Sequence, residues 1–343
     1  MAATVVTLHI LGWGTLLLFV APGQYVIEGA VFGVGLGVTA YTLGMRHAFD
    51  ADHIAAIDNT TRKLVAENGK RKVQTVGFWF ALGHSTVVFV LVALLAFGVR
   101  ALASDLENEN SALQRWTALW GTGVSGTFLI LIGLLNLASL AAIWRVFREM
   151  RRGEYDEAQL ERQLDSRGLL NRVLRPVLGL VRRPRHMYAV GVLFGLGFDT
   201  VTEVGLLVIA GGAAATGLPW YSILVLPVLF SAGMALFDSL DGSFMSFAYD
   251  WAFAQPVRKI YYNLVITGLS VAVALLIGGQ EIVSIFAERL EVSSGIVAWI
   301  GNLDLGDLGY IIVGLFVLTW AVAIAVWRFA GLERRWRDGL AAR

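Results

Sequence analysis

Eight apolar runs, near 4–22, 27–57, 75–99, 118–145, 187–214, 219–247, 260–287 and 307–328, punctuate the chain, and about twenty such residues is what an α-helix needs to cross the hydrocarbon core of a bilayer. Lipid offers no partner to backbone N–H and C=O groups, so each run has to satisfy its own by forming a helix. The expected fold is all-α, a polytopic integral membrane protein with eight transmembrane helices. A mean hydropathy of +0.67 agrees with that. No Lys or Arg precedes the first run and further runs follow it, so it reads as a first transmembrane helix rather than a cleaved signal.

An even number of spans leaves both termini on one side, and the basic residues say which. Five lie in 58–74 (Arg62, Lys63, Lys70, Arg71, Lys72), eleven in 145–186, two at 258–259 and five from Arg328 onward, together 23 of the 27 in the chain. The opposite loops hold Arg100, Arg115 and Arg289, outnumbered by Asp105, Glu107, Glu109, Glu288, Glu291, Asp304 and Asp307. By the positive-inside rule both termini are expected in the cytoplasm. The organisation that follows is residues 1–145 as transmembrane helices 1 to 4, 146–186 as an Arg-rich cytoplasmic linker with an Arg175-Pro176 break, and 187–343 as helices 5 to 8 with a short cytoplasmic tail. Residues 58–74 read as a second solvated linker of the same kind.

Against this background His47-Ala48-Phe49-Asp50-Ala51-Asp52-His53 stands out, because it places two imidazoles and two carboxylates, next to Arg46, inside the second apolar run. Each ionisable group near the bilayer centre costs about 2.5–3.5 kcal/mol on insertion scales, so four together imply a polar site facing protein or water. Two His and two Asp form a nitrogen and oxygen ligand set suited to a divalent transition metal. The chain has no cysteine, which excludes disulfides, iron–sulfur centres and thiolate metal sites. On an ideal helix with His47 at zero, Asp50 falls at about 300°, Asp52 at about 140° and His53 at about 240°. One ion cannot collect all four from a regular helix. Either the helix is unwound here, as helices around transported ions often are, or some members orient the ligands rather than bind.

Other apolar runs carry related groups. His84 lies mid-span in Leu82-Gly83-His84-Ser85-Thr86, a candidate for metal binding or proton relay beside the first cluster. Asp199 and Glu203 are four apart in Gly197-Phe198-Asp199-Thr200-Val201-Thr202-Glu203, so they share a helix face and need a cation. Asp238 and Asp241, in Gly233-Met234-Ala235-Leu236-Phe237-Asp238-Ser239-Leu240-Asp241-Gly242, repeat that logic at a spacing of three. Asn136 suits either an interhelical hydrogen bond or a pathway contact. His9 and His186 read as structural. Helix 2 also opens with Gly29, Gly33 and Gly37, a side-chain-free stripe against which a neighbouring helix can close.

At these four helices the chain resembles the nickel/cobalt transporter family (NiCoT), secondary permeases for Ni²⁺ and Co²⁺. The resemblance rests on Arg46 to Ile54 (RHAFDADHI), Leu82 to Val88 (LGHSTVV), Leu196 to Glu203 (LGFDTVTE) and Gly233 to Gly242 (GMALFDSLDG), in the expected order. It implies metal recognition by His47, Asp50, Asp52 and His53, and roles for His84, Asp199, Thr202, Glu203, Asp238 and Asp241. It also implies the cell (inner) membrane as location, Ni²⁺ or Co²⁺ as transported substrate, no prosthetic group, and no enzyme activity. Imidazole with carboxylate suits these borderline ions better than Mg²⁺ or Ca²⁺, which favour oxygen shells. No GxxxxGK[ST] phosphate loop is present, and the membrane potential can supply the energy, so no ATPase partner is required; a net charge of +1 gives no bulk affinity for nucleic acid. The rival readings are a proton-coupled exporter of the same ions and, with no HExxH spacing, an intramembrane metalloenzyme. The resemblance implies that an exporter would carry an exposed His-rich loop that gathers metal, and the loops 58–74 and 146–185 have no His.

Overall fold

The computed structural model describes residues 1–27, 30–68, 73–97, 112–151, 181–196, 201–215, 218–253, 256–292, 294–303 and 308–329. These are mostly helical, with one two-residue pairing of Val26–Ile27 with Ala30–Val31 and short turns between helices. In chain order the helices are α1 (Ala2–Thr15, continued by π and 3₁₀ turns to Gly23), α2 (Val34–His47), α3 (Ala51–Asn68), α4 (Val76–Ala96), α5 (Ala112–Arg151), α6 (Met187–Gly195), α7 (Val201–Ala215), α8 (Trp220–Phe253), α9 (Pro256–Arg289), α10 (Gly295–Gly301) and α11 (Leu308–Phe329). Among the described residues, five segments are long and apolar enough to cross a membrane: Ala2–Gly23, Val76–Ala96, Arg115–Ala138, Trp220–Asp250 and Leu264–Arg289. They fall on expected spans 1, 3, 4, 6 and 7.

The remaining expected spans differ from uninterrupted helices in ways that matter. Span 2 does not start at residue 27: the short strand pair precedes it, and the helix begins at Val34, is interrupted after His47 and continues to Asn68. Within expected span 5 the described helices are α6, ending at Gly195, and α7, starting at Val201; 197–200 lie outside the described residues. Span 8 is α11, whose apolar part runs from Leu308 to Val322. Of the expected cytoplasmic linker, 152–180 lie outside the described residues, as does the tail beyond 329.

Residues 58–68 are not a solvated linker. They are the second half of α3, in which Asp58, Asn59, Thr60 and Thr61 are fully buried and Arg62 and Lys63 nearly so. No glycine or proline follows His53 until Gly69, so nothing in the sequence ends the helix sooner.

Helices in a bilayer gain little from burying apolar surface against one another and associate through close backbone packing at small residues. α8 is the post around which this packing is organised. A Cβ on Gly44 of α2 would lie 2.0 Å from the carbonyl oxygen of Phe230, and one on Gly233 would lie 2.5 Å from that of Tyr41, so α2 and α8 cross in backbone contact. Lower on α8, a Cβ on Gly77 of α4 would come within 1.8 Å of the Asp238 carbonyl. Reciprocal contacts of Gly83 with Tyr188 and of Gly191 with Phe80 clamp α4 to α6. Two apolar clusters result. One gathers Leu16, Ala40, Val88, Leu206, Leu229 and Phe230; the other gathers Ile54, Ile57, Phe80, Leu129, Phe194 and Ile277. The ends of α2 and α3 and the middle of α4 meet between them.

Candidate metal centre

The interruption between α2 and α3 is a tightened turn. Phe49 N–H donates to Arg46 O at 2.9 Å and Asp50 N–H to His47 O at 2.9 Å, both three-residue bonds, and the four-residue pattern resumes where Ile54 N–H donates to Asp50 O at 3.2 Å. Three residues turning about 120° each rather than 100° rotate everything beyond by about 60° and eclipse side chains three apart. That brings Asp50 over His47 and moves His53 from about 240° to about 300° on the same scale. Of the two alternatives left by the sequence, the interrupted helix is the one present: three-residue bonds close the turn and α3 starts afresh at Ala51.

With this geometry three histidines converge. His47 from the end of α2, His53 from the first turns of α3 and His84 from the middle of α4 are 1%, 1% and 2% exposed. One nitrogen from each lies within 4.8 Å of the others, and the ring centroids are 4.4, 4.7 and 4.9 Å apart. His47 Nε2 and His84 Nε2 are separated by 3.1 Å. Two neighbouring nitrogens bound to one ion at about 2.1 Å stand about 3.0–3.4 Å apart, so this pair is already spaced as a chelate. Phe80, edge-on to His53 at 4.7 Å, and Phe230, 5.6 Å from His47, wall the centre with apolar surface.

Carboxylates face the outer nitrogens of two of these rings. Asp50 Oδ2 is 2.7 Å from His47 Nδ1, and Asp238 Oδ2, from α8, is 3.5 Å from His53 Nδ1. A carboxylate close to Nδ1 favours the proton there and leaves the Nε2 lone pair for a metal; Asp50 is placed to do this for His47, whereas Asp238 faces His53 without hydrogen-bonding to it. Neither nitrogen of His53 and neither oxygen of the fully buried Asp238 makes a hydrogen bond. Each polar atom buried this way costs about 1–3 kcal/mol, a penalty that a bound cation removes. Asp52, in the first turn of α3, lies within electrostatic range of Asp50, His47 and His84. Asp241 is one turn beyond Asp238 and interacts electrostatically with it and with Asp58.

Asp199 and the side chains of Thr202 and Glu203 lie outside the described residues, although the backbone of the latter two is in α7. His9 contacts Val5 O at 2.8 Å and the Tyr41 hydroxyl at 3.2 Å, and His186 accepts from Arg182 N–H at 3.2 Å, both in keeping with structural roles. Asn136 donates to Asn59 Oδ1 at 2.6 Å, an interhelical hydrogen bond.

Asn59 belongs to a polar network that sequence reading missed. Asp58 accepts from the Tyr249 hydroxyl and from Ser270 Oγ, each at 2.5 Å, while Arg62 donates to Thr267 Oγ1 at 2.9 Å and Lys63 to Val181 O at 3.0 Å. These bonds tie α3 to α8 and α9. The available signal was the unbroken helical phase from His53 through Arg62, which carries these polar residues into the bundle.

A family profile described as high-affinity nickel-transport protein matches residues 33–326. The nickel transporter NicT of Mycobacterium tuberculosis is 56% identical over 336 residues, covering 98% of this chain and 90% of that protein. The nickel transporter NixA of Staphylococcus aureus is 43% identical, covering 97% and 95%, and the cobalt transport protein NhlF of Rhodococcus rhodochrous is 40% identical, covering 93% and 89%. No solved structure matches the chain significantly.

Proposed function

The chain belongs to the high-affinity nickel-transport family, one of multi-pass membrane transporters rather than enzymes, and we propose that it takes up Ni²⁺, Co²⁺ or both across the cytoplasmic membrane as a secondary transporter. The observation that carries this reading is the convergence of His47, His53 and His84 on one buried point inside the bundle. Imidazole holds borderline divalent ions well, whereas Mg²⁺ and Ca²⁺ seek oxygen shells, so three nitrogens select the transition metal.

In this reading His47, His53 and His84 bind the ion, Asp50 orients His47, Asp238 supplies negative charge beside His53, and Asp52 adds charge at the start of α3. Asp241, Asp199, Thr202 and Glu203 serve passage to and from the centre. A divalent cation moving inward at about 100 mV, inside negative, gains about 4.6 kcal/mol, so neither an ATPase partner nor a prosthetic group is needed. Counting α2 with α3, α6 with α7, and α11 as one crossing each adds three to the five apolar spans, for eight crossings with both termini cytoplasmic. Discontinuous helices at the depth of the site are the form in which transporters expose polar groups to an ion.

Flux of radiolabelled nickel and cobalt into proteoliposomes under an imposed potential tests direction, substrate and energy source together. Accumulation that follows an inside-negative potential, without nucleotide, is the expected result. Accumulation that requires an opposing proton gradient and runs outward would refute uptake.

A further inference from the structure

α11 supplies no ligand, yet it begins at the interruption between α2 and α3. A Cβ on Gly309, in its first turn, would lie 1.5 Å from the carbonyl oxygen of Phe49 and 3.1 Å from Ile54 Cδ1, so the α11 backbone rests directly on the tightened turn. The next residue, Tyr310, stacks on the Phe49 ring at 4.9 Å with planes 26° apart. Phe237 of α8, one residue before Asp238, meets the same ring at 5.4 Å. Phe49 is thus held between α8 and α11, at the centre of the three residues that separate His47 from α3.

We propose that Gly309 and Tyr310 are positioning residues that hold Phe49, and with it the tightened turn, in the geometry that sets His47 and His53 around one ion. The claim rests on the reading of the three histidines as the metal centre. Two three-residue backbone bonds and the His47–Asp50 contact hold the turn from within, and the physical basis of the claim is that packing on Phe49 adds a hold from outside. A regular α-helical continuation through 48–50 would relieve the overwinding and swing His53 away by about 60°. Packing on Phe49 from two sides opposes that relaxation. Groups that orient ligands without binding metal are worth about 10–100-fold in affinity when removed, and Tyr310 acts one step further out, at the backbone that carries the ligands.

The test uses full-length purified protein, with equilibrium Ni²⁺ binding and the visible absorption spectrum of bound Co²⁺, which reports ligand geometry. Tyr310→Ala is expected to weaken Ni²⁺ binding about tenfold and to change the Co²⁺ spectrum, and Tyr310→Phe, which keeps the ring, to restore both. Trp320→Ala controls for packing in general, since Trp320 makes aromatic contacts elsewhere on α11 with Phe244 at 5.4 Å and Phe247 at 6.3 Å; it should leave affinity and spectrum unmoved. Wild-type affinity and spectrum in Tyr310→Ala, with binding still lost in His53→Ala, would overturn the positioning role and leave the histidine centre standing. Equal losses in Trp320→Ala and Tyr310→Ala would reduce α11 to generic packing and also overturn it. Wild-type binding in His53→Ala would remove the centre itself and the positioning role with it.

Discussion

Removing the Asp50 carboxylate should weaken metal binding without abolishing it. Asp50 Oδ2 stands 2.7 Å from His47 Nδ1, and the His47 side chain is 1% exposed. In Asp50→Ala the buried Nδ1 loses the carboxylate beside it, at about 1–3 kcal/mol for a buried polar group left without its partner, and the ring loses a contact that positions it. At 1.4 kcal/mol per factor of ten, the dissociation constant for Ni²⁺ should rise about 10–100-fold, the range seen when orienting groups are removed. Asp50→Asn keeps an oxygen able to accept from Nδ1 and gives up only the charge, so it should fall within about tenfold of the unmodified protein. Isothermal titration of purified protein with Ni²⁺ measures all three variants on one scale, with His47→Ala as the reference for a lost ligand. A loss in Asp50→Ala as complete as in His47→Ala would show that Asp50 binds the ion directly. No loss at all would show that the 2.7 Å contact does not orient His47. Either result refutes the assignment.

Tyr249→Phe should leave Asp58 with one donor fewer and lower stability by about 1–3 kcal/mol, read as a drop in melting temperature with Ni²⁺ affinity unchanged; a change in affinity would place the Asp58 network within the metal pathway. Gly77→Ala should greatly reduce folded protein, because its Cβ would fall 1.8 Å from the Asp238 carbonyl, whereas Gly14→Ala, with nothing within 4 Å of the added Cβ, should not; equal yields and melting temperatures would refute close packing of α4 on α8. Leu160→Cys, the sole thiol in a chain without cysteine, should resist an impermeant maleimide in intact cells and react after permeabilisation. Reaction from outside would invert the topology.

Much of this molecule is legible in its amino-acid sequence, because lipid leaves the chain few choices. Runs of about twenty apolar residues must become helices, and a histidine such as His84 amid Phe78–Phe97 has to face protein. The clustering of His47, Asp50 and His53 likewise announces a polar site. Less legible is how one helix can present them together. The angular spread of the four groups shows that a regular helix fails, but the tightened turn at Phe49 and Asp50 depends on contacts from Phe237 and Tyr310, which belong to helices far along the chain. The burial of Asp58 to Lys63 escapes sequence reading for a related reason. A string of charged and hydroxyl residues after an apolar run resembles a solvated loop unless the helical phase is followed through it, and its partners Tyr249, Thr267 and Ser270 sit on helices that sequence alone does not place beside it.

The central claim is that one ion is held by His47, His53 and His84 inside the bundle. X-ray absorption at the nickel edge, on protein loaded with a single equivalent of Ni²⁺, reads the ligand shell directly through the multiple scattering of imidazole rings. Three imidazoles are predicted in the unmodified protein and two in His84→Ala, with nickel–nitrogen distances of about 2.1 Å. A shell of oxygen ligands alone, or one that His84→Ala leaves unchanged, would contradict the account.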